Sequence, residues 1–194
     1  EERLGRLGAV DPQEGLRETE GKAFADTPED AGQALRTLVP GLAHAWSVFQ
    51  PDRGIGFNGH VLRLPGGAVV VDPVEATPHV RSTIASMAPF QGSVLLNRDH
   101  ARDALAFRQL LGCPVGIHRA DATDLECLTP DVAFEGNETL FGCLRTIGLP
   151  NQKSPGETAL WWEEKRLLAL GDALIRRTDG RLAMLPTDKY ADPA

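Results

Sequence analysis

The run Asn97-Arg98-Asp99-His100-Ala101-Arg102-Asp103 closes the apolar stretch "SVLL" with a crowd of side chains that can hold protons or metals. An Asp-His pair can ligate a divalent cation through a carboxylate oxygen and an imidazole nitrogen. The arginines on either side of it repel one. The same residues also suit the polar entrance to a helix, with Asp99 as its cap. Three more loops carry candidate chemistry: Asp72 ends "AVVVDP", Lys153 lies in "LPNQKSPGE", and Asp172 lies in "LGDAL". Each has a bland reading beside the functional one. Asp72 can end a strand, Lys153 can be a solvated lysine, and Asp172 can close a turn on its own backbone. His118, ending "PVGIH", reads as a structural histidine rather than a ligand.

The elements that must position these residues follow from hydrophobic period and turn chemistry. "AHAWSVFQ" reads as a strand, and "GHVLRLPGGAVVVDP" as two strands about a Pro65-Gly66-Gly67 turn. "ATPHVRSTIASMA" is helix-like, and "GSVLLN" is a short buried strand. "ARDALAFRQLLG" has helical spacing of its apolar residues and a Gly112 stop. "PVGIH" follows as a strand and "RADATDLE" as a short helix; strands are expected in "TLFGCLRTIGL", "ETALWWEE", "RLLALGDAL" and "RLAMLP". Of Trp161 and Trp162, one ring is expected in the core and the other on the opposite sheet face. Helices between parallel-type strands, flanked by hairpins, give an α/β layer protein.

Residues 1–38 read differently, as a helical or partly disordered arm before a domain over 39–194. "TPEDAGQALRTLV" can form a helix with Thr27 as N-cap and Pro28 in its first turn. The 194 residues fit one medium domain with an appendage, and a net charge of -7 gives no electrostatic case for nucleic acid. No apolar run reaches the length of a membrane span. Cys113, Cys127 and Cys143 are odd in number and lack metal-finger spacing, so buried free thiols and a reducing, cytoplasmic compartment are expected.

In their order along the chain, these pieces resemble the metallo-β-lactamase superfamily from about residue 43 to 190. "GHVLRLPGGAVVVDP" resembles the family's opening hairpin with its Asp-Pro turn. "VLLNRDHARDALAFRQLLGCPVGIH" resembles its strand, T-H-x-H-x-D-H motif and helix. "KSPGETALWWEEKRLLALGDAL" is similar to its G-H-[ST]-P-G loop, strand pair and Gly-Asp turn. The resemblance implies an αββα sandwich with one or two metal ions between the sheets. The chain begins at Glu1 and ends at Ala194, before the strand that would bring the family's last histidine, so the fold is expected to be incomplete at the C-terminus.

Two registers are open. If His100 is the second histidine of H-x-H-x-D-H, then Arg98, Arg102 and Asp103 replace ligands and the helix must lose residues. If Asp99-His100 is the terminal D-H pair, the run to His118 fits without a gap and the loop is two residues short; loops accept deletions better than packed helices. The second register is preferred. It implies that the H-x-H pair is gone and that Lys153 stands where the third histidine of the first metal site would be. Asp99, His100 and Asp172 then remain as ligands for one divalent ion, with zinc first in expectation and iron or manganese after it, or no ion at all. One reading is a single-metal hydrolase of an ester, thioester, amide or phosphoester, with Asp172 orienting water and Lys153 stabilising negative charge. The alternative is a metal-free binding module in which the Lys153 ammonium replaces the metal's charge. The expected partner is a small-molecule substrate or ligand, with no nucleic acid and no membrane; a homo-oligomer stays open.

Overall fold

The computed structural model of the chain describes residues 34–52, 55–176, 181–186 and 189–190. Strand β1 (Arg36–Val39) pairs antiparallel with β2 (Ala43–Gln50), which pairs with β3 (Ile55–Leu64), and β3 turns into β4 (Gly67–Val71). The turn needs its glycine. Gly67 has φ +137, and a Cβ there would come within 2.5 Å of the Pro89 carbonyl oxygen. From β4 onward the sheet is parallel, through β5 (Phe90–Leu95), β6 (Val115–His118) and β7 (Val132–Phe134). Helix α1 (Pro78–Ala85) joins β4 to β5, and α2 (Ala104–Leu111) joins β5 to β6. Thr77 caps α1 by accepting a bond from the Val80 amide at 3.3 Å, and Pro78 fills the first turn, where no amide hydrogen is needed. Gly112, at φ +61, ends α2 in the left-handed conformation that glycine adopts without strain.

A second sheet holds β8 (Thr139–Leu140), β9 (Leu144–Gly148), β10 (Thr158–Trp162) and β11 (Leu167–Ala169) in the order β11-β10-β9-β8. A separate antiparallel pair joins β12 (Ile175–Arg176) to β13 (Leu182–Ala183).

Alternation along the strands divides the core into two interfaces. Leu62, Leu64, Val69, Val71, Val94 and Leu96 face Leu144, Leu160 and Trp162 between the sheets. Val61, Ala68 and Val70, one residue out of phase, face Val80, Ile84 and Phe107 of the helices. Trp46 anchors that second interface. Its ring stacks on Phe107 with centroids 5.2 Å apart, and its Nε1 donates to the Val74 carbonyl at 3.0 Å. The layers described are thus helices, seven-stranded sheet and four-stranded sheet. The carboxyl ends of β4, β5 and β6, where open α/β sheets place their ligand-binding groups, carry Asp72, Asn97 to His100, and Asp121.

Several expectations need adjusting. The helix drawn over "TPEDAGQALRTLV" gives way at its end: Arg36–Val39 form β1, because the edge of β2 leaves backbone groups free to pair with them. That strand also crosses the boundary drawn at residue 38; residues 1–33 lie outside the described residues. "RADATDLE" yields only a 3₁₀ turn over Arg119–Asp121. β7 is too short to show a period. Trp162 is buried and Trp161 only half-buried, one on each face as expected. Cys113, Cys127 and Cys143 are free thiols, but Cys127 is exposed rather than buried. Among the described residues no helix is long and apolar enough to cross a membrane.

The tight contact beneath Trp46 gives a first test. A Cβ on Gly59 would lie 2.4 Å from Trp46 Cζ2, so Gly59→Ala is expected to lower stability by about 1–3 kcal/mol, as overpacked cores do. Urea unfolding followed by Trp fluorescence measures it, and an unchanged midpoint would contradict the packing described.

Candidate functional site

Asp72 is more than the end of a strand. It has φ +49, a left-handed backbone that side-chain-bearing residues rarely adopt, and it is buried. Its Oδ1 accepts a 2.8 Å bond from the Leu96 amide, which pins the end of β5 to the end of β4. Its Oδ2 lies 2.8 Å from His100 Nδ1, though out of line with the ring N–H.

The segment after β5 is a 3₁₀ turn over Arg98–His100, capped by Asn97 and not by Asp99. Asn97 Oδ1 accepts from the Asp99 amide at 3.0 Å, and its Nδ2 donates to Glu157 Oε2 at 2.8 Å. The residue ahead of α2 is Asp103, whose carboxylate binds Arg81 at 2.7 Å instead of capping the helix. Asp99 is therefore free of capping duty, and its carboxylate reaches Lys153 Nζ. The two arginines point elsewhere. Arg98 pairs with Asp124. The Arg102 guanidinium lies 4.3 Å over the centre of the Phe57 ring, a favourable cation–π placement.

His100 sits between two carboxylates. Nδ1 faces Asp72, and Nε2 lies 3.1 Å from Asp172 Oδ1. Burial pushes the imidazole toward its neutral form, but the charge of the nearby Asp72 carboxylate and the bond to Asp172 outweigh it and raise the pKa to about 9. At neutral pH both ring nitrogens carry hydrogen. His60, half-buried nearby, is pushed the other way: desolvation lowers its pKa, with Asp72 opposing. Asp172 would be raised by burial. The His100 bond and charge, then Lys153 and Arg102, bring it down to about 2. Lys153 Nζ lies 3.5 Å from Asp172 Oδ2 as well as against Asp99. Burial opposes its charge, but the Asp99 bond and the Asp172 charge prevail and raise its pKa.

Two carboxylates escaped the sequence reading. Glu157, buried at the entrance to β10, accepts from Asn97 and, through Oε1, from the Asp172 amide at 2.8 Å. Burial raises its pKa to about 7, helped by the Asp172 charge and opposed chiefly by the Asn97 bond. Gly171 exists for this contact, since a Cβ there would come within 2.5 Å of Glu157 Oε1. Asp121, fully buried, accepts from the Arg98 amide at 3.0 Å, the Gly156 amide at 3.0 Å and the Ser154 hydroxyl. No motif or period marks either residue; the only signal for Glu157 was its place beside the Ser-Pro-Gly run. His118 caps the 3₁₀ turn that follows it, with Nδ1 accepting from the Ala120 amide at 3.2 Å.

Asp99, His100, Lys153 and Asp172 thus meet at one place. Their arrangement does not fit a metal ion. Both His100 ring nitrogens face carboxylates, and the Lys153 ammonium lies against Asp99 and Asp172, where a cation between them would have to be. Among the described residues no three His, Cys, Asp or Glu side chains are spaced to hold one.

Helices on one face of a seven-stranded sheet, a second sheet on the other and a polar site at the strand ends define a layered α/β sandwich. The chain belongs to the metallo-beta-lactamase superfamily, whose sequence profile matches residues 36–194. No curated protein matches it. Among solved structures it is similar to DIM-1 metallo-beta-lactamase, at 15% identity and TM-score 0.65 over 81% of this chain and 77% of that one. A metallo-beta-lactamase from Pontibacter korlensis matches at 16% identity and TM-score 0.62 over 75% and 74%. TTHA1623, solved in a di-iron-bound form, matches at 22% identity and TM-score 0.51 over 76% of each chain. At these identities the likeness is one of fold.

His100 gives the site a pH signature. With pKa 6.5 unfolded and about 9 folded, its stabilisation is complete below pH 6.5 and is lost as pH rises through about 9. The amount is on the order of 3 kcal/mol. In urea unfolding, the stability gap between the parent and His100→Gln is expected to narrow across that window; a gap independent of pH would show that His100 is neutral in the fold.

Proposed function

We propose that the chain is a metal-independent member of its superfamily that keeps the scaffold as a binding module, with the Lys153 ammonium in place of a metal's charge. The observation that carries this reading is the contact of Lys153 Nζ with both Asp99 and Asp172. The charge balance supports it. Below pH 7, where Glu157 keeps its proton, the cations His100 and Lys153 lie between the anions Asp72, Asp172 and Asp99, and the Arg102 charge, from its place over Phe57, adds to them at Asp172. Most of the negative charge gathered here is thus offset by the protein's own cations, without an ion. The raised pKa of Lys153 also argues against its use as a general base. A groove of about 410 Å³ beside Asp99, lined by Arg98, Asp124, Leu125 and Cys127 among others, is the seat this reading assigns to a small polar molecule.

Elemental analysis of protein purified without chelator, before and after incubation with excess zinc, iron or manganese, tests the proposal. Less than a tenth of an equivalent of bound ion is expected, roughly the level of incidental contamination, with no shift in melting temperature on adding the ions. One equivalent of metal in the parent, lost in Asp99→Ala, would overturn the reading in favour of a single-metal hydrolase using Asp99, His100 and Asp172.

A further inference from the structure

The geometry points to Asp121 as the residue that positions Lys153. A lysine side chain has four rotatable bonds, and an ion pair this close to solvent does not hold it in place alone. The Lys153 side chain is 37% exposed and that of Asp99 is 44% exposed. What brings them together must therefore be the backbone of the two segments that carry them. Asp121 binds both. Its Oδ2 accepts from the amide of Arg98, the residue before Asp99, and from the hydroxyl of Ser154, the residue after Lys153. Its Oδ1 accepts from the Gly156 amide at 3.0 Å. The Leu96–Thr158 and Asn97–Glu157 bonds tie the same segments together beyond Gly156, on the far side from Lys153.

Gly156 sharpens the assignment. A Cβ on it would lie 2.6 Å from the Asp121 carboxyl carbon, so a side chain there would drive the carboxylate out. Two residues of the Ser154-Pro155-Gly156 run are thus explained by one buried acid: Ser154 by its hydroxyl and Gly156 by its bare Cα and its amide. Pro155, which has no amide hydrogen, leaves no competing donor between them. Asp121 is wholly buried, and among the described residues it has no cation in contact, its side chain accepting from these three donors. A buried carboxylate so placed is costly to keep unless its bonds are all made, so the three segments move as one piece.

The inference rests on Lys153 as the stand-in charge only for its consequence, and its test reads the ammonium's position, not metal content. Limited acylation with an N-hydroxysuccinimide ester, followed by peptide mass spectrometry, gives the labelling of Lys153 relative to Lys165. Lys165 is a fair internal reference, being 41% exposed in its side chain and paired with a single neighbouring glutamate. Lys153 is expected to label more slowly than Lys165 in the parent. Asp121→Asn presents an amide donor to the Arg98 amide and should raise the ratio about tenfold, the factor of one lost charge-assisted hydrogen bond. Ser154→Ala, which removes one contact only, should raise it about threefold, a fraction of that bond's worth. If Asp121→Asn does not fold, Ser154→Ala decides. A purely structural Asp121 would lower the melting temperature and leave the ratio unchanged in the folded protein, and that result overturns the inference. Bound metal in the parent together with a raised ratio would sink the proposed function and leave the role of Asp121 standing.

Discussion

Carboxylates drawn away from water must be neutralised or fully hydrogen-bonded, and the strand ends of this protein are organised around that requirement. Asp72, Asp99, Glu157 and Asp172 converge on one place, and each meets the constraint differently. Asp72 and Asp172 share the His100 imidazolium, Asp99 and Asp172 share the Lys153 ammonium, and Glu157 keeps a proton up to about pH 7. The outcome is a chain of alternating charges from Asp72 to Asp99, in which every cation touches two anions. Such alternation is self-reinforcing: the carboxylates raise the pKa of His100 and Lys153, and these cations lower that of Asp172.

The scaffold carries the network through a few positions where the backbone has no freedom. Asp72 is held at φ +49, and its other oxygen is committed to the Leu96 amide, so the Oδ2 that faces His100 cannot turn away. Gly171 lets Glu157 lie against the chain and take the Asp172 amide, which fixes the backbone from which the Asp172 carboxylate projects. Asn97 caps the turn with its oxygen and binds Glu157 with its nitrogen, joining the turn of the first sheet to the entrance of β10 in the second. The charges are thus set by side chains, but their spacing is set by the contact between the two sheets, buried around Val71, Leu96, Leu160 and Trp162.

The scaffold was legible in the sequence wherever alternation or helical period ran long enough. The β3–β4 hairpin, α1, α2 and β10 stand where "GHVLRLPGGAVVVDP", "ATPHVRSTIASMA", "ARDALAFRQLLG" and "ETALWWEE" placed them. β1 and β7 were not legible, because strands of three or four residues at a sheet edge owe their shape to the neighbour they pair with. In the site, Asp99, His100, Lys153 and Asp172 could be singled out by residue type and order along the chain. Asp121 and Glu157 could not. Each binds amides of segments remote in sequence, with no side chain at a telling interval. The arginines beside Asp99-His100 divide in two: Arg98 pairs with Asp124, while Arg102 lies over Phe57 with its charge still acting on His100 and Asp172.

A metal ion at Asp99, His100 and Asp172 would have to undo this network before it gained any ligand. His100 must first lose a proton that it holds with a pKa of about 9. At pH 7 that step alone costs on the order of 3 kcal/mol, about a hundredfold in affinity. Lys153 must leave Asp99 and Asp172 at the same time, carrying its charge to solvent, or remain and repel the ion. Arg102 adds to the repulsion, since its charge already acts on both His100 and Asp172. These penalties are coupled, because they concern the same oxygens and nitrogens. Lys153 therefore does more than fail as a ligand: its ammonium is a cation already held by Asp99 and Asp172, the same carboxylates an incoming ion would need.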